Sequence, residues 1–372
     1  MFRNVGILSA MVARKLIAGT VAACLLLGAC GAEVSPTDTV SQPEEEFDDS
    51  GSSSIIDSQK LEECGYGLPV LEKPPRVVTS VSAVTSLVAG LVSGTGVAVS
   101  GLVPDGVDAL THEPSDADRE LLSRADVVIL NGLGYDDSLA TVARETGTQR
   151  TVVCEAGTAS LPASAYIHDS AYPEESQLPN PFVWVVPSVA LRMLSAARTA
   201  LYATMAELPA VIEDNYVALS QQVMSFDRAL TKAAGSVPMR NRKVVTTDPT
   251  LAYFARQLDF EYVLLGNPNL AAGADVDAFV QAVKDAAVPA VFGPGDVTPD
   301  VSARLRDEAG AVWVPVVPLT QLPGRPGEAR HSWAGTVSLL GSTLVEALGG
   351  DSSAISAVPV DIGIKDSATY AG

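Results

Sequence analysis

Valine-rich apolar runs alternate with amphipathic stretches from residue 74 onward. The short runs predict β-strands at residues 77–81, 97–103, 127–131 and 151–155. The stretches between them have a helical spacing of apolar residues and predict helices at residues 82–93, 115–125 and 138–145. Ser115, followed three residues later by Asp118, resembles a capping box at the start of the second helix. Strands that alternate with helices are typical of βαβ units and predict a parallel sheet.

The alternation stops between residues 187 and 234, where the pattern is helical throughout. Pro209 breaks the pattern once, because a proline in a first turn starts a second helix. One apolar stripe runs along that helix at alternating steps of four and three residues: Ile212, Tyr216, Leu219, Val223, Phe226 and Leu230. About 26 residues at roughly 1.5 Å each give a helix of about 39 Å. Such a helix is expected to run along two lobes.

Strands and helices alternate again after residue 236. The strand-like runs lie at residues 243–247, 262–265, 290–292 and 312–317, and the helical stretches at 251–258, 276–286, 301–308 and 336–348. We therefore predict an α/β fold of two βα lobes with parallel sheets, joined by a long rigid interlobe helix, with a ligand cleft between the lobes. The predicted boundaries are 74–186 for the N-terminal lobe, 187–235 for the interlobe helices, 236–350 for the C-terminal lobe and 351–372 for a loose tail.

The first 29 residues have the order of a signal peptide. Arg14 and Lys15 precede an apolar run at residues 16–27, and small residues follow it up to Cys30. The run is too short to span about 30 Å of hydrocarbon. Leu-Gly-Ala-Cys at residues 27–30 resembles a bacterial lipobox, in which the cysteine becomes a lipidated N-terminus that anchors the protein to the cell membrane. The alternative is an ordinary secretory signal.

The composition changes this picture in two respects. Residues 33–63 contain ten acids and one base, which predicts a disordered acidic tether over residues 30–73. The chain has 24 basic and 44 acidic residues and a net charge of −20, so no nucleic-acid partner is expected. We also predict that the protein is not an enzyme, because it has no Gly-x-Ser-x-Gly elbow, no phosphate-binding glycine loop and no His-Glu-x-x-His motif.

Four cysteines are present, and two remain after export. Cys24 leaves with the signal peptide and Cys30 carries the lipid, so Cys64 and Cys154 are left. An oxidising compartment favours a disulfide between Cys64 and Cys154. The alternative is a pair of buried, unpaired thiols.

Several motifs, in order, resemble a known family. Residues 102–108, 113–115 and 125–134 look like the first lobe of the zinc- and manganese-binding solute-binding lipoproteins of bacterial ABC importers. Asn-Pro-Phe-Val-Trp-Val-Val-Pro at residues 180–187 resembles the opening of that family's interlobe helices, and residues 248–256 resemble the start of its second lobe. The resemblance implies an extracytoplasmic protein that binds a metal in its cleft. The protein would deliver this metal to a membrane permease driven by an ATPase.

In that family three histidines and one carboxylate usually hold the metal. The matching positions here are Leu110, Phe182, Asp248 and Val317. Leucine, phenylalanine and valine donate no lone pair to a metal ion, so the resemblance implies a degenerate site. His112 is the other ligand candidate, because it could swing in beside Asp248 to form a weak Zn²⁺ or Mn²⁺ site with waters. His168 and His331 lie outside the motifs and are expected at the surface.

Three hypotheses follow for function. In the first, the cleft is adapted to a ligand other than a bare metal ion. In the second, it still binds Zn²⁺ or Mn²⁺ weakly. In the third, the cleft is vestigial and the lobes serve as an adhesin or an envelope-assembly module. In the first case Asp248 is the lone anion, with Trp184 and Tyr253 flanking the ligand. The alternative for Trp184 and Tyr253 is core packing, and the alternative for Asp248 is a helix cap near Thr250.

Overall fold

The computed structural model describes residues 64–65, 71, 73–205, 209–267, 275–363 and 368–370, all of which belong to one compact unit spanning Ser52–Gly372. The expected signal peptide, the lipidation site Cys30 and the acidic tether up to residue 63 lie outside the described residues. Within them, no helix combines the length and the apolar character that a membrane crossing needs.

The first lobe is a parallel sheet with helices packed on it. Its elements are β1 (Val77–Thr79), α1 (Ser82–Val92), β2 (Val99–Gly101), α2 (Asp116–Arg124), β3 (Val127–Leu130), α3 (Asp137–Thr146), β4 (Val152–Glu155) and α4 (Ala156–Ser160). The strand order is β4-β3-β1-β2, and every neighbouring pair is parallel, as the alternation predicted. The predicted capping box is confirmed, because Ser115 and Asp118 exchange hydrogen bonds at the start of α2.

Two long helices connect the lobes: α5 (Pro187–Tyr202) and α6 (Ala210–Ser236). The stripe predicted on α6 faces the core, since Ile212 and Phe226 are fully buried. One continuous apolar core runs from the first sheet through both helices to the inner face of the second sheet. The long helices therefore hold the two lobes together as the pattern predicted.

The second lobe repeats the architecture. Its elements are β5 (Lys243–Thr246), α7 (Ala252–Gln257), β6 (Glu261–Leu264), α8 (Val276–Ala286), β7 (Ala290–Pro294), α9 (Pro299–Arg304), β8 (Val312–Val316) and α10 (Trp333–Ala347). The strand order is β6-β5-β7-β8, and all pairs are parallel. A smaller apolar cluster under α8 and α9 covers the outer face of this sheet.

The segment after Gly350 is not the loose tail that the sequence predicted. It contains the short helix α11 (Ser353–Ser356), whose Ile355 is fully buried, and strand β9 (Thr369–Tyr370). Strand β9 returns to the first lobe and pairs in parallel with β2. The Gln222 side-chain amide on α6 donates to the carbonyls of Pro359 and Val360, at 2.8 and 3.1 Å. Such isolated anchors leave no periodic pattern, which is why the sequence did not show them.

A disulfide joins Cys64 to Cys154, with a Cα–Cα distance of 4.4 Å. Both residues are fully buried, and Cys154 lies on the edge strand β4. The predicted disulfide is confirmed, and the alternative of two free thiols is wrong. It fixes the chain preceding β1 to the first lobe.

Candidate functional site

The loops that follow the strands of the two lobes contact one another. The backbone N–H of Gly106, after β2, donates to the carbonyl of Thr320, after β8, at 3.1 Å. The N–H of Ile167 donates to the hydroxyl of Tyr253 at 2.9 Å. Parallel α/β sheets bind ligands at the carboxyl ends of their strands. We call the region between these loops the cleft.

Leu110 lies on a single 3₁₀ turn, Ala109–Thr111, beyond the end of β2. Asp108 caps this turn, because its Oδ1 accepts the N–H of Leu110 at 3.1 Å. The Leu110 residue is 45% exposed. It therefore presents an apolar surface to solvent.

Phe182 is only 3% exposed. Its ring lies 5.3 Å from the ring of Tyr135, measured between centroids, at an angle of 59°. Tilted aromatic pairs of this kind are favourable beyond their buried area. Phe182, at the second position expected from the resemblance, is thus part of a packed aromatic wall.

Asp248 follows β5 and is 4% exposed. Its Oδ1 accepts the N–H of Thr250 at 2.9 Å, so the predicted helix cap is confirmed. Its Oδ2 is buried and has no hydrogen-bond partner among the described residues. Burial raises the pKa of the Asp248 carboxyl, against the opposing effect of its bonds to Thr250. Capping explains one oxygen and leaves the other without a hydrogen-bond partner among the described residues.

Val317 directly follows β8 and is half-buried. It lines an apolar cavity of about 110 Å³ together with Pro315, Leu319 and Leu340. The fourth position expected from the resemblance therefore offers hydrocarbon and no carboxylate.

The remaining predicted contacts are structural. Nε2 of His112 lies 3.5 Å from Oδ2 of Asp118, so its imidazole faces the capping box of α2. Trp184 and Tyr253 are fully buried, which favours the core-packing alternative for both. The Trp184 carbonyl accepts the indole N–H of Trp333 at 2.7 Å. Burial raises the pKa of Tyr253 to about 12.

The prediction that His331 lies at the surface is wrong. His331 is 2% exposed, and its Nε2 lies 3.4 Å from Oδ2 of Asp105 in the first lobe. The N–H of Leu322 donates to Oδ1 of Asp105 at 3.4 Å. Contacts between residues more than two hundred positions apart in the chain leave no local signal. His168, by contrast, is exposed as predicted.

Asp248 is not the lone anion of the cleft. Asp169 lies on the loop before α5, and its Oδ2 accepts the side-chain amide of Asn180 at 3.2 Å. The same nitrogen of Asn180 donates to the carbonyl of Pro249, next to Asp248, at 2.6 Å. Asn180 thus connects Asp169 to the loop that carries Asp248. Asp169 belongs to no motif, so the sequence did not single it out.

Tyrosine hydroxyls lie among these carboxylates. Burial raises the pKa of Tyr172, and the charges of Asp108, Asp169 and Asp248 raise it further. Burial also raises the pKa of Tyr262 on β6, and the charges of Asp169 and Asp248 raise it further. Tyr135 has a raised pKa from burial and from Asp108. Three acids from both lobes therefore act on one group of phenols.

The acids of the cleft do not converge as a metal site. Among the described residues no group of three or more histidines, cysteines, aspartates or glutamates is placed to hold a metal ion. A dehydrated Zn²⁺, Mn²⁺ or Ca²⁺ needs several donor atoms at about 2.0–2.6 Å.

The two-lobed α/β fold with a cleft between the lobes is shared with solved solute-binding proteins. The periplasmic zinc-binding protein TroA from Treponema pallidum superposes with a TM-score of 0.62 at 22% identity, over 74% of this chain and 99% of that chain. The Mn-bound periplasmic metal-binding protein from Candidatus Liberibacter asiaticus superposes with a TM-score of 0.61 at 19% identity, over 73% and 99%. These likenesses define the fold.

Sequence comparison gives the family. TroA of Treponema pallidum is 24% identical over 285 residues, which is 74% of this chain and 89% of that protein. The manganese-binding lipoprotein MntA of Halalkalibacterium halodurans is 22% identical over 63% of this chain and 76% of its own length. The family model described as "Zinc-uptake complex component A periplasmic" matches residues 77–347, and the chain belongs to this family of solute-binding proteins of metal-type ABC importers.

Proposed function

We propose that the protein is an extracytoplasmic solute-binding lipoprotein of an ABC importer, with a cleft that binds a solute other than a bare Zn²⁺ or Mn²⁺ ion. One observation carries the proposal. Three of the four positions that match the family's metal ligands hold Leu110, Phe182 and Val317, whose side chains have no lone pair to donate. Only Asp248 retains a ligand atom at such a position.

The geometry supports the same conclusion. Phe182 is packed against Tyr135, and Val317 lies in an apolar cavity. A change of side-chain conformation at either position therefore brings no metal-donor atom into the cleft. The partner that the sequence suggested for Asp248, His112, faces Asp118. One carboxylate and water ligands give a weak site for a divalent cation, because the ion must lose tightly bound water to enter.

The transport role rests on the family and on the N-terminus. Solute-binding proteins of ABC importers deliver their ligand to a membrane permease coupled to an ATPase, and we propose those two proteins as partners. The lipobox-like residues 27–30 would tether the protein to the outer face of the cell membrane through Cys30. The protein acts by binding and release, without catalysis.

Anchoring is tested by metabolic labelling with a clickable fatty acid. The wild-type chain is expected to incorporate the label and to sediment with membranes. Cys30→Ala is expected to lose both properties, while the matched control Cys24→Ala keeps them. A label that survives in Cys30→Ala would contradict lipidation at this residue.

The cleft is tested with metal on the chelator-treated protein. Equilibrium dialysis against Zn²⁺ or Mn²⁺ is expected to leave less than one equivalent of metal on the protein at about micromolar free ion. The names of the relatives supply the competing possibility, which is a metal importer component. One tightly retained equivalent that is lost in Asp248→Ala would support that role and overturn the proposal.

A further inference from the structure

Carboxylates and phenols of both lobes surround the cleft. They lie on loops after strands of each lobe, on β6 and on the loop before α5: Asp108, Asp169 and Asp248, with Tyr135, Tyr172 and Tyr262. An acidic cluster by itself is common at protein surfaces. This one has a second feature, which is a buried oxygen without a partner.

That oxygen is Oδ2 of Asp248. The residue is 4% exposed, its Oδ1 is occupied by the Thr250 N–H, and Oδ2 has no hydrogen-bond partner among the described residues. A buried acceptor left unpaired costs free energy. A ligand N–H that reaches this oxygen removes the cost, so the position favours a hydrogen-bond donor and, above all, a cation.

A second acid, Asp169, lies next to the loop that carries Asp248. The side-chain amide of Asn180 contacts both Asp169 Oδ2 and the Pro249 carbonyl, which places Asp169 beside the Asp248 loop. The backbone N–H of Tyr172 donates to Asp169 Oδ1 at 3.0 Å, so the backbone of Tyr172 is held next to this acid. Each carboxylate accepts a hydrogen bond from its own backbone or amide donor, so the acids do not converge on one position.

We propose that the cleft binds an organic di- or polyamine, with one ammonium group at Oδ2 of Asp248 and a second near Asp169 or Asp108. The proposal rests on the proposed function and names the substrate class of the same site. Separated carboxylates match separated charges, whereas a bare metal ion needs donors that converge on one centre. An ammonium group of the ligand would donate to Oδ2 of Asp248, which has no partner among the described residues.

The apolar and aromatic walls fit the remainder of such a molecule. Tyrosine faces attract ammonium groups through cation–π interactions. The methylene chain of a polyamine needs an apolar surface, and Leu110, which is 45% exposed, supplies one at a position where the family has a metal ligand. Replacement of a histidine by Leu110 thus suits a ligand with both charge and hydrocarbon.

Isothermal titration with spermidine and putrescine tests the proposal. The full mature chain is expected to bind spermidine with one-site stoichiometry, and more tightly than putrescine, because spermidine carries one more charge. Asp248→Asn and Asp169→Asn are each expected to weaken binding about tenfold or more, since each loses a charged hydrogen bond. Glu145→Gln, an exposed acid on α3, is the matched control and is expected to leave binding unchanged.

The acidic residues 33–63 are present in every variant, so the difference from Asp248→Asn isolates binding in the cleft. A second pair of variants tests the ring. Tyr172→Phe keeps the aromatic face and is expected to bind like wild type, whereas Tyr172→Leu is expected to bind severalfold more weakly. Binding that is absent, or that is identical in wild type and Asp248→Asn, would overturn the polyamine proposal.

Failure of this proposal is distinguishable from failure of the proposed function. If polyamines do not bind but another organic solute shifts the melting temperature of wild type and not of Asp248→Asn, only the polyamine is wrong. If Zn²⁺ or Mn²⁺ binds tightly and stoichiometrically, both proposals fail.

Discussion

The side-chain amide of Asn180 donates to the backbone carbonyl of Pro249 at 2.6 Å, and thereby joins the first lobe to the loop that carries Asp248. Asn180 is fully buried, and its Oδ1 accepts the N–H of Phe182 at 3.2 Å. One side chain therefore positions the aromatic wall and the acidic loop of the cleft together.

Asn180→Leu is expected to destabilise the protein by about 1–3 kcal/mol, because the Pro249 carbonyl and Oδ2 of Asp169 lose the amide donor and the Phe182 N–H loses its acceptor. Urea unfolding measures the change. Gln281→Leu is the control, since it removes an exposed hydrogen bond to Asp285 within α8 and is expected to change stability by less than about 0.5 kcal/mol. Equal effects of the two variants would show that Asn180 does not join the lobes.

Asp248→Asn is expected to stabilise the ligand-free protein at pH 7 to 8. Burial raises the pKa of Asp248 above its unfolded value. Its stabilising contribution is therefore complete below the unfolded pKa and is lost as the pH rises through the folded pKa. The advantage of the asparagine, measured by urea unfolding, is expected to shrink toward pH 4. An advantage that grows on acidification would contradict this sign.

Asp136 gives a second pH effect of the same direction. Its buried carboxylate accepts the N–H groups of Asn131 and Gly132, at 2.7 and 2.8 Å, at the end of β3. Burial raises the pKa of Asp136 to about 6, in spite of these hydrogen bonds. Thermal unfolding is expected to show a stability contribution that is present below about pH 4 and is lost as the pH rises to about 6. Asp136→Asn is expected to remove that part of the profile. An unchanged profile in Asp136→Asn would assign the effect elsewhere.

Reduction of the Cys64–Cys154 disulfide is expected to lower stability. The bond links residues 90 positions apart, so it removes much of the chain entropy of the unfolded state. A loop of that length corresponds to about 4–5 kcal/mol in the loop-entropy description. The double variant Cys64→Ser/Cys154→Ser, compared with wild type by thermal unfolding with and without reductant, checks this. Loss of reductant sensitivity should accompany its lower melting temperature.

The fold could be predicted from the sequence because it repeats. Apolar strands such as β3 and β7 are buried on both faces, and the stripe on α6 has the spacing of one helix face. Strand β9 escaped prediction because two residues paired to a distant strand carry no periodic signal.

The site was predictable only in part. Asp248 was predicted because its position matches a ligand of the family that the sequence resembles, and the structure adds that one of its oxygens has no partner among the described residues. Asp169 and Asn180 come together through contacts with the second lobe, which no local pattern encodes. His331 was misplaced for the same reason, since its neighbour Asp105 lies in the other lobe.

Substitutions at the three positions that lack a donor atom can introduce metal ligands into the cleft. Leu110→His, Phe182→His and Val317→Asp, together with the native Asp248, would restore two histidines and two carboxylates, a ligand set that suits Zn²⁺. Circular dichroism first establishes that the triple variant is folded, because Phe182 is buried against Tyr135.

Calorimetric titration of Zn²⁺ into the chelator-treated wild type and the folded triple variant is then the most direct measurement. We predict no binding tighter than about micromolar for the wild type and a one-to-one site at least tenfold tighter for the variant, a gain of about 1.4 kcal/mol or more. A stoichiometric nanomolar Zn²⁺ site in the wild type would contradict a cleft refitted for another solute.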